Sequence, residues 1–322
     1  MRKFVISAII AVSISLGTMA LIGFFSGGFD ALENVPLRIH LITLFGFILL
    51  YIFGGLSTKL FMWFLGYKIS FLNSLENFFF GNFFSYITPM YIGGQPFQIH
   101  HLSKLGVKNG DATNFVMTRL FESFITTLIL DLSIYKYAMT KLNFGRVGET
   151  LIKLGFSLQF LWTVLILLFL FFPRVFNFLM RPAFKIMKRK SDDLETWLLS
   201  LKSSVRTVWR KKPLALILDM IWWFVNISIH ALPFYMIFEY FNPQFKMGFF
   251  HLLAVLSLVN TVAYYTPTPG ATGGVEGIYH ITLSGVVSYN SITVALLIWR
   301  VYSYYIPILV GLIMIWRVRK LI

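Results

Sequence analysis

The protein has 322 residues, of which 57% are hydrophobic and only 13% charged, and it contains no cysteine. A soluble domain carries roughly a quarter charged residues, so this chain, with a mean hydropathy of +0.74, is too apolar to coat a soluble globule. The lack of cysteine excludes disulfide-stapled folds, thiolate metal sites and thiol nucleophiles. Lys and Arg outnumber Asp and Glu by 28 to 13, an excess that in a membrane protein faces anionic lipid head groups rather than nucleic acid. Composition therefore predicts one integral membrane domain over residues 1–322.

Six apolar stretches are long enough, at about 20 residues, to cross the hydrocarbon layer as helices. They are Phe4–Phe25, His40–Met62 and residues 112–138, 152–172, 214–238 and 291–316. The first is longer than the apolar core of a signal peptide and has no cleavage-site pattern after it, which favours a retained helix.

Two further apolar stretches, 70–105 and 248–286, are interrupted in the middle by proline and glycine. The first break, residues 88–96, reads TPMYIGGQP, and the second, residues 266–274, reads TPTPGATGG. Proline removes a backbone donor and glycine weakens a helix. Open backbone at membrane depth persists only where it is packed in protein or faces water. Each stretch is therefore predicted to form two half-helices that enter and leave the membrane on one side, as a re-entrant hairpin.

Basic residues set the predicted orientation in the cell membrane. Residues 173–213 contain eleven Lys or Arg interleaved with apolar residues, which predicts a cytoplasmic loop of amphipathic helices on an anionic leaflet. Both termini are basic as well and are expected in the cytoplasm. Six spans and two same-side hairpins satisfy these placements, although they leave Lys141, Arg146 and Lys153 outside with only Glu149 to offset them.

The two broken stretches match each other at a constant offset of 178 residues. Asn82, Tyr86, Thr88 and Pro89 align with Asn260, Tyr264, Thr266 and Pro267. A glycine pair follows each of these matched segments, and a long helix with an embedded arginine follows each pair. Because the charge pattern places the copies in opposite orientations, the chain is predicted to contain an inverted repeat, about 39–138 and about 214–316. Such repeats with interrupted segments are typical of transporters that bind substrate at the bilayer midplane.

The repeated features predict an anion site. Half-helices that begin near Gly94 and Gly274 would present free N–H groups and the positive end of the helix dipole. An arginine at the bilayer centre costs at least ~2.5 kcal/mol unless it is compensated, and guanidinium groups bind phosphate bidentately. The predicted substrate-binding residues are Arg119, Arg300, Gly93, Gly94, Gln95, Gly273, Gly274, Glu276, Glu122, Tyr86, Tyr264, Thr88 and Thr266.

Embedded acids are expected to neutralise the arginines between substrates. Glu122 lies three residues after Arg119 on the same helical face, and Glu276 opens the second half-helix, where a carboxylate complements the dipole. Further candidates for a functional or proton-relay role are Asp131, Asp219, His100 and His101. The histidines lack metal-ligand spacing, and no phosphate-binding loop or catalytic triad order is present. No metal, cofactor or catalytic residue is therefore predicted.

The same residues carry a resemblance to a known family. Residues 267–277, PTPGATGGVEG, are similar to a segment of the transmembrane region of the lysylphosphatidylglycerol synthase/flippase family, and Arg119 and Arg300 correspond to family arginines. Gln95 stands where the family usually has glutamate, and Thr118 where an acid often precedes the arginine. The resemblance covers nearly the whole chain and implies translocation of a lipid with a charged head group. Nothing resembles the soluble aminoacyl-transferring domain.

The sequence thus predicts an all-α polytopic bundle of six spans and two re-entrant hairpins that acts as a lipid flippase. Anionic phospholipids and polyprenyl-phosphate lipids are both candidate substrates, and a homo-oligomer remains open. Two alternatives stay beside this hypothesis. One is an integral-membrane transferase acting on a lipid phosphate, for which each break offers at most one embedded acid. The other is a non-transporting partner subunit that binds lipid.

Overall fold

The computed structural model describes residues 2–26, 28–172, 175, 178, 203–205, 208–209 and 213–316, and every regular element in these ranges is helical. The all-α prediction is confirmed for this part of the chain. The predicted cytoplasmic loop of amphipathic helices, 173–213, lies almost entirely outside the described residues, as do the basic residues at the C-terminus.

The described helices follow one another in a simple order. They are α1 (Arg2–Ser26), α2 (Gly28–Leu32), α3 (Leu37–Phe64), α4 (Phe71–Tyr86), α5 (Gly94–Lys104), α6 (Asn109–Lys141), α7 (Gly145–Phe171), α8 (Pro213–Phe241), α9 (Phe249–Ala263), α10 (Gly274–Leu283), α11 (Tyr289–Arg300) and α12 (Ile306–Met314). A π-helical turn, Val301–Tyr305, joins α11 and α12 into one continuous segment directly after Arg300.

Five of the described helical segments are long and apolar enough to cross a membrane. They are Val5–Phe25, Leu37–Phe64, Gly145–Leu168, Pro213–Phe241 and Tyr289–Met314. Exposed apolar side chains such as Phe24, Phe45, Trp63 and Ile313 lie on these segments, as expected of surfaces that face lipid.

The sixth predicted span, 112–138, lies within α6, which is an unbroken helix of 33 residues. This helix is more polar than the other five, and its polar side chains are buried inside the bundle. Those buried polar residues are Thr113, Asn114, Thr118, Arg119, Glu122, Thr126 and Asp131. The helix packs against α7, α9, α5 and α8, so it is an interior element, and its crossing of the membrane stays a prediction.

Both predicted breaks interrupt the helices. Residues 87–93 separate α4 from α5, and residues 264–273 separate α9 from α10. Non-glycine residues with positive φ occur in both: Met90 and Tyr91 at 53° and 58° in the first, and Ala271 at 50° in the second. Such angles are uncommon for residues with a Cβ atom and concentrate at functional sites. Entry and exit of each helix pair on one membrane side stays a prediction.

Helices α3 and α8 pack side by side and run antiparallel. Near one end of the pair, the Ser57 hydroxyl donates to Asp219. Farther along, the rings of Phe47 and His230 lie 5.0 Å apart. Eleven residues separate Asp219 from His230, which is about 16 Å along a helix that rises 1.5 Å per residue. Positions along α8 can therefore be used to compare the levels of the polar sites that contact it.

Candidate functional site

The two breaks lie against one another in the folded protein. Pro89 and Pro269 form an isolated antiparallel β-bridge. The Tyr91 hydroxyl donates a 2.8 Å hydrogen bond to the Gly270 carbonyl, and the Gly270 amide lies 3.4 Å from the Thr88 carbonyl, to which it donates. We call this contact between residues 87–93 and 264–273 the junction.

Arg300 is buried at the junction with 1% of its surface exposed. Its Nε atom donates to Glu276 Oε1 at 2.8 Å, and its Nη1 atom donates to the Gly270 carbonyl at 3.3 Å. Its Nη2 atom is buried and has no hydrogen-bond partner. The guanidinium carbon also lies 4.8 Å from the centre of the Tyr304 ring, in cation–π range. The junction therefore holds a fixed cation with an unused donor.

Glu276 stabilises both the arginine and the start of α10. Its Oε2 atom accepts a 2.8 Å hydrogen bond from the Gly273 amide, while its Oε1 atom accepts from Arg300 and, at 3.4 Å, from the Ser15 hydroxyl of α1. The carboxylate thus complements the helix dipole and acts as the counter-ion of Arg300. Both roles follow from its position in the first turn of the half-helix.

Tyrosines from both breaks and from α11–α12 surround Arg300. Ring centres are 6.1 Å apart for Tyr86 and Tyr91, 5.3 Å for Tyr91 and Tyr264, and 5.5 Å for Tyr86 and Tyr304. Tyr264 is 43% exposed, so one side of this aromatic cluster is accessible. Tyr91 and Tyr304 were not among the predicted residues, although Tyr304 lies one helical turn after Arg300 and Tyr91 lies inside the first break.

The glycine pairs allow close packing within each broken segment. A Cβ atom at Gly94 would collide with the Gly81 carbonyl and the Ser85 hydroxyl, and one at Gly274 would collide with Thr266. In the first break, Thr88 also binds the glycine pair directly, because the Gly93 amide donates to Thr88 Oγ1 at 2.9 Å.

The half-helix starts were predicted to offer free N–H groups to an anion. The structure occupies the leading amides instead, with Thr88 on Gly93 and Glu276 on Gly273. Gln95, with its amide oriented so that the nitrogen donates, lies 2.9 Å from the Ile92 carbonyl and 3.2 Å from that of Tyr91. These groups stabilise the breaks from within.

Arg119 lies in a different cluster, between α6, α3 and α8. Its Nε and Nη2 atoms each donate to an Asp219 carboxylate oxygen at 3.0 Å. Its Nη1 atom donates to Thr58 Oγ1 at 3.0 Å, and Nη2 also donates to Ser57 Oγ at 2.5 Å. The Phe115 ring lies 4.3 Å from the guanidinium carbon. Every nitrogen of this guanidinium is therefore hydrogen-bonded within the protein.

The structure does not bring the two arginines together around one phosphate. Asp219, the partner of Arg119, lies near the start of α8, whereas Trp299, the neighbour of Arg300, donates to His230 at 2.9 Å. These two levels of α8 are about 16 Å apart by the helical rise. Each arginine has its own buried carboxylate as counter-ion, Asp219 for Arg119 and Glu276 for Arg300. The prediction of one shared phosphate site is therefore corrected to two separate sites.

Glu122 was expected to hold Arg119, and this too is corrected. Asp219, which is 100 residues away in sequence, binds the guanidinium bidentately. Glu122 is 1% exposed, and neither of its carboxyl oxygens has a hydrogen-bond partner. The sequence marked Asp219 only as an embedded acid and did not indicate its partner.

The remaining polar candidates have separate surroundings. Asp131 is fully buried and accepts hydrogen bonds from Ser257 and Thr261 of α9 at 2.7 and 2.9 Å. His101 is buried beside Asn77, at 3.2 Å, whereas His100 is exposed. Among the described residues, no group of three or more His, Asp or Glu is placed to hold a metal ion.

Two comparisons with known proteins bear on the identity of the chain. No curated protein matches the chain. The family described as the lysylphosphatidylglycerol synthase TM region matches residues 7–311, which is nearly the whole length. Apolar helices of membrane-spanning length occur throughout that range, and the family suggests a lipid-related function in the membrane. The chain is therefore a multi-pass membrane protein that belongs to the lysylphosphatidylglycerol synthase transmembrane-region family.

Proposed function

We propose that this protein moves a lipid with an anionic head group between leaflets, and that the head group binds at the junction beside Arg300. One observation carries the proposal: the two breaks meet around a buried guanidinium whose Nη2 atom has no partner. A buried donor left unpaired costs free energy, and more so when it is charged. A phosphate oxygen would satisfy it with a strong charge-assisted hydrogen bond.

Glu276 supports this role, since it keeps the site neutral while it is empty. It binds Arg300 through Nε, which leaves the other edge of the guanidinium for a ligand. An arriving phosphate would bring excess negative charge into a place of low dielectric, so it needs further donors. The rings of Tyr86, Tyr264 and Tyr304 belong to the aromatic cluster beside the arginine, and we expect hydroxyl groups of this cluster to supply them.

An apolar cavity of about 300 Å³ between α3, α4 and α12 suits the hydrocarbon chains of such a lipid. Its walls include Leu44, Ile48, Leu72, Phe79 and Val310. Tyr51, also on the wall, lies beside Tyr86, the last residue of α4 before the junction. A lipid could thus place its head group at the junction while its tails stay in this cavity and in the bilayer.

The test is a leaflet-sidedness assay with purified protein in liposomes that contain a labelled anionic phospholipid or a labelled polyprenyl phosphate. Losing one charge-assisted contact costs about 1.5–3 kcal/mol, so Arg300→Ala should slow head-group movement by roughly tenfold to a hundredfold. Arg38→Ala removes an exposed arginine and should move lipid at the wild-type rate.

A folding defect must be separated from loss of binding. Arg300→Ala leaves the buried Glu276 carboxylate without a counter-ion, so the neutral pair Arg300→Gln with Glu276→Gln serves as the second variant. If that folded double variant moves lipid as fast as the wild type, the proposal is wrong. A new lipid species in the assay would instead indicate the transferase. Lipid binding with neither movement nor turnover would indicate the partner subunit.

A further inference from the structure

The Arg119 cluster contains two carboxyl groups for one guanidinium. Asp219 accepts two hydrogen bonds from the Arg119 guanidinium and a third from the Ser57 hydroxyl, whereas Glu122 accepts none. Both acids are almost completely buried, at 2% and 1% exposure. With both ionised, the cluster would hold a net negative charge away from water, which is strongly unfavourable.

The charges that act on Glu122 are those of Arg119 on its own helix and Asp219 on α8, and the two carboxyl groups lie within hydrogen-bond reach of each other. Two other titratable groups on or against α6 have their own partners: His101 of α5 bonds to Asn77, and Asp131, farther along α6, bonds to α9. From α3, the cluster receives only the hydroxyl groups of Ser57 and Thr58. The described residues therefore supply no second cation for Glu122.

Two unpaired donors lie one helical turn beyond the acids. Thr126 follows Glu122 by four residues, Trp223 follows Asp219 by four residues, and the Thr126 Oγ1 and Trp223 Nε1 atoms are both buried without a partner. The polar interior thus continues past Glu122 between α6 and α8. This interior contains two hydrogen-bond donors, Thr126 Oγ1 and Trp223 Nε1, that have no acceptor.

We propose that Glu122 is a proton-binding site whose occupancy controls the link between α6 and α8, a step that rests on the proposed lipid transport. A proton from water binds one carboxylate oxygen of Glu122 and removes the excess charge, so Arg119 stays on Asp219. A proton fits better than a metal ion because Arg119 already fills the cluster with positive charge.

Release of that proton changes which acid holds the arginine. Glu122 lies three residues after Arg119 on the same helix face, where side chains can meet. Once ionised, it competes with Asp219 for the guanidinium and weakens the bonds that join α6 to α8. Protonation of Glu122 therefore couples proton uptake to the packing of α6 against α8.

Infrared spectroscopy of the purified protein in detergent tests the protonation without any lipid transport. We expect a carboxylic-acid carbonyl band near neutral pH that is lost in Glu122→Gln and kept in Asp131→Asn, which neutralises a different buried acid. Glutamine is close in shape to glutamate, and its amide can donate to Asp219, whose carboxyl group lies within hydrogen-bond reach of Glu122, so the variant should fold. Identical spectra for Glu122→Gln and the wild type would overturn the proposal.

The coupling is tested by the pH dependence of lipid movement in liposomes. The wild type should show a pH-dependent rate, and Glu122→Gln should show a rate that no longer follows pH. If Glu122→Gln keeps the wild-type pH profile, the coupling is wrong even where the infrared band is present. If the wild type moves no lipid, the proposed function fails, and the infrared result alone decides whether Glu122 binds the proton.

Discussion

The two embedded arginines occupy corresponding sequence positions and have different environments. Arg119 has a hydrogen-bond partner on every guanidinium nitrogen, supplied by Asp219, Ser57 and Thr58. Arg300 has one carboxylate, one carbonyl and one nitrogen without a partner. A saturated guanidinium joins helices, whereas an unsaturated one can recognise a ligand. The two arginines therefore share a position in the sequence repeat but differ in their hydrogen-bond partners.

In a Glu122→Gln background, Asp219→Asn should destabilise the protein strongly, because it leaves the buried Arg119 without a counter-ion. Breaking one side of a buried ion pair costs about 3–5 kcal/mol, measured here as a loss of unfolding free energy in detergent. The control is Glu149→Gln, which breaks the exposed Lys153–Glu149 pair. Exposed pairs contribute about 0–1 kcal/mol, so that variant should unfold like the wild type.

Removing both charges should cost less than removing one. In the same Glu122→Gln background, we expect Arg119→Gln combined with Asp219→Asn to recover much of the stability lost in Asp219→Asn, because no unpaired charge stays buried. Strictly additive losses from the two substitutions would contradict the ion pair as the dominant interaction.

At this scale, the predictable contacts were local ones. Glu276 belongs to the first turn of the half-helix, so its interaction with the helix start followed from position. Asp219 lies 100 residues from Arg119, and only the packing of α8 on α3 and α6 brings the two together. Glu122, the local candidate three residues away, was therefore preferred wrongly. The sequence indicates that a buried arginine needs an acidic partner, but it does not indicate which acid is the partner.

At the scale of elements, a threonine contacts the glycine pair in both breaks, although at different members of the pair. Thr88 binds the Gly93 amide, and Thr266 lies where a Cβ atom at Gly274 would be. Each contact folds the end of one half-helix against the start of the next. This correspondence agrees with the sequence repeat and explains why glycine stands at these positions.

Gly274→Ala and Gly277→Ala separate this contact from helix propensity. Both residues lie in α10, but a Cβ atom at Gly274 collides with Thr266, whereas one at Gly277 meets nothing within 4 Å. We expect Gly274→Ala to lose about 1–3 kcal/mol through overpacking. Gly277→Ala should be neutral or gain up to about 1 kcal/mol from helix propensity. Thermal unfolding in detergent measures both, and equal midpoints would contradict the close contact.

Element positions were largely predictable because proline, glycine and apolar length act locally. Both interruptions occur where the sequence indicated them, and five of the predicted spans coincide with apolar helices. The π-helical turn after Arg300 was not predicted, since it depends on how Tyr304 and Tyr305 pack against neighbouring elements. The polar face of α6 was visible in the sequence, but its burial depends on the helices around it.

At the scale of the whole molecule, the antiparallel α3–α8 pair holds two charged sites at different depths. The Arg119 cluster lies at the level of Asp219, near one end of α8, and Arg300 lies near the middle of the segment Tyr289–Met314. A change in the bonds of Arg119 would alter the packing of α8 against α6. Because α8 also contacts Arg300's neighbour Trp299 through His230, both sites lie beside the same helix.

The junction should be reachable by water-soluble reagents even though it lies among apolar helices. Met90 is 40% exposed in the first break, whereas Ala263, at the end of α9, is fully buried. Because the natural chain has no cysteine, Met90→Cys and Ala263→Cys each introduce a single thiol. A hydrophilic maleimide should label Met90→Cys much faster than Ala263→Cys, and an anionic lipid bound at Arg300 should slow that labelling. Equal, slow labelling of both would mean that the junction is closed to water. An ionic head group could then enter the junction only by losing its hydration.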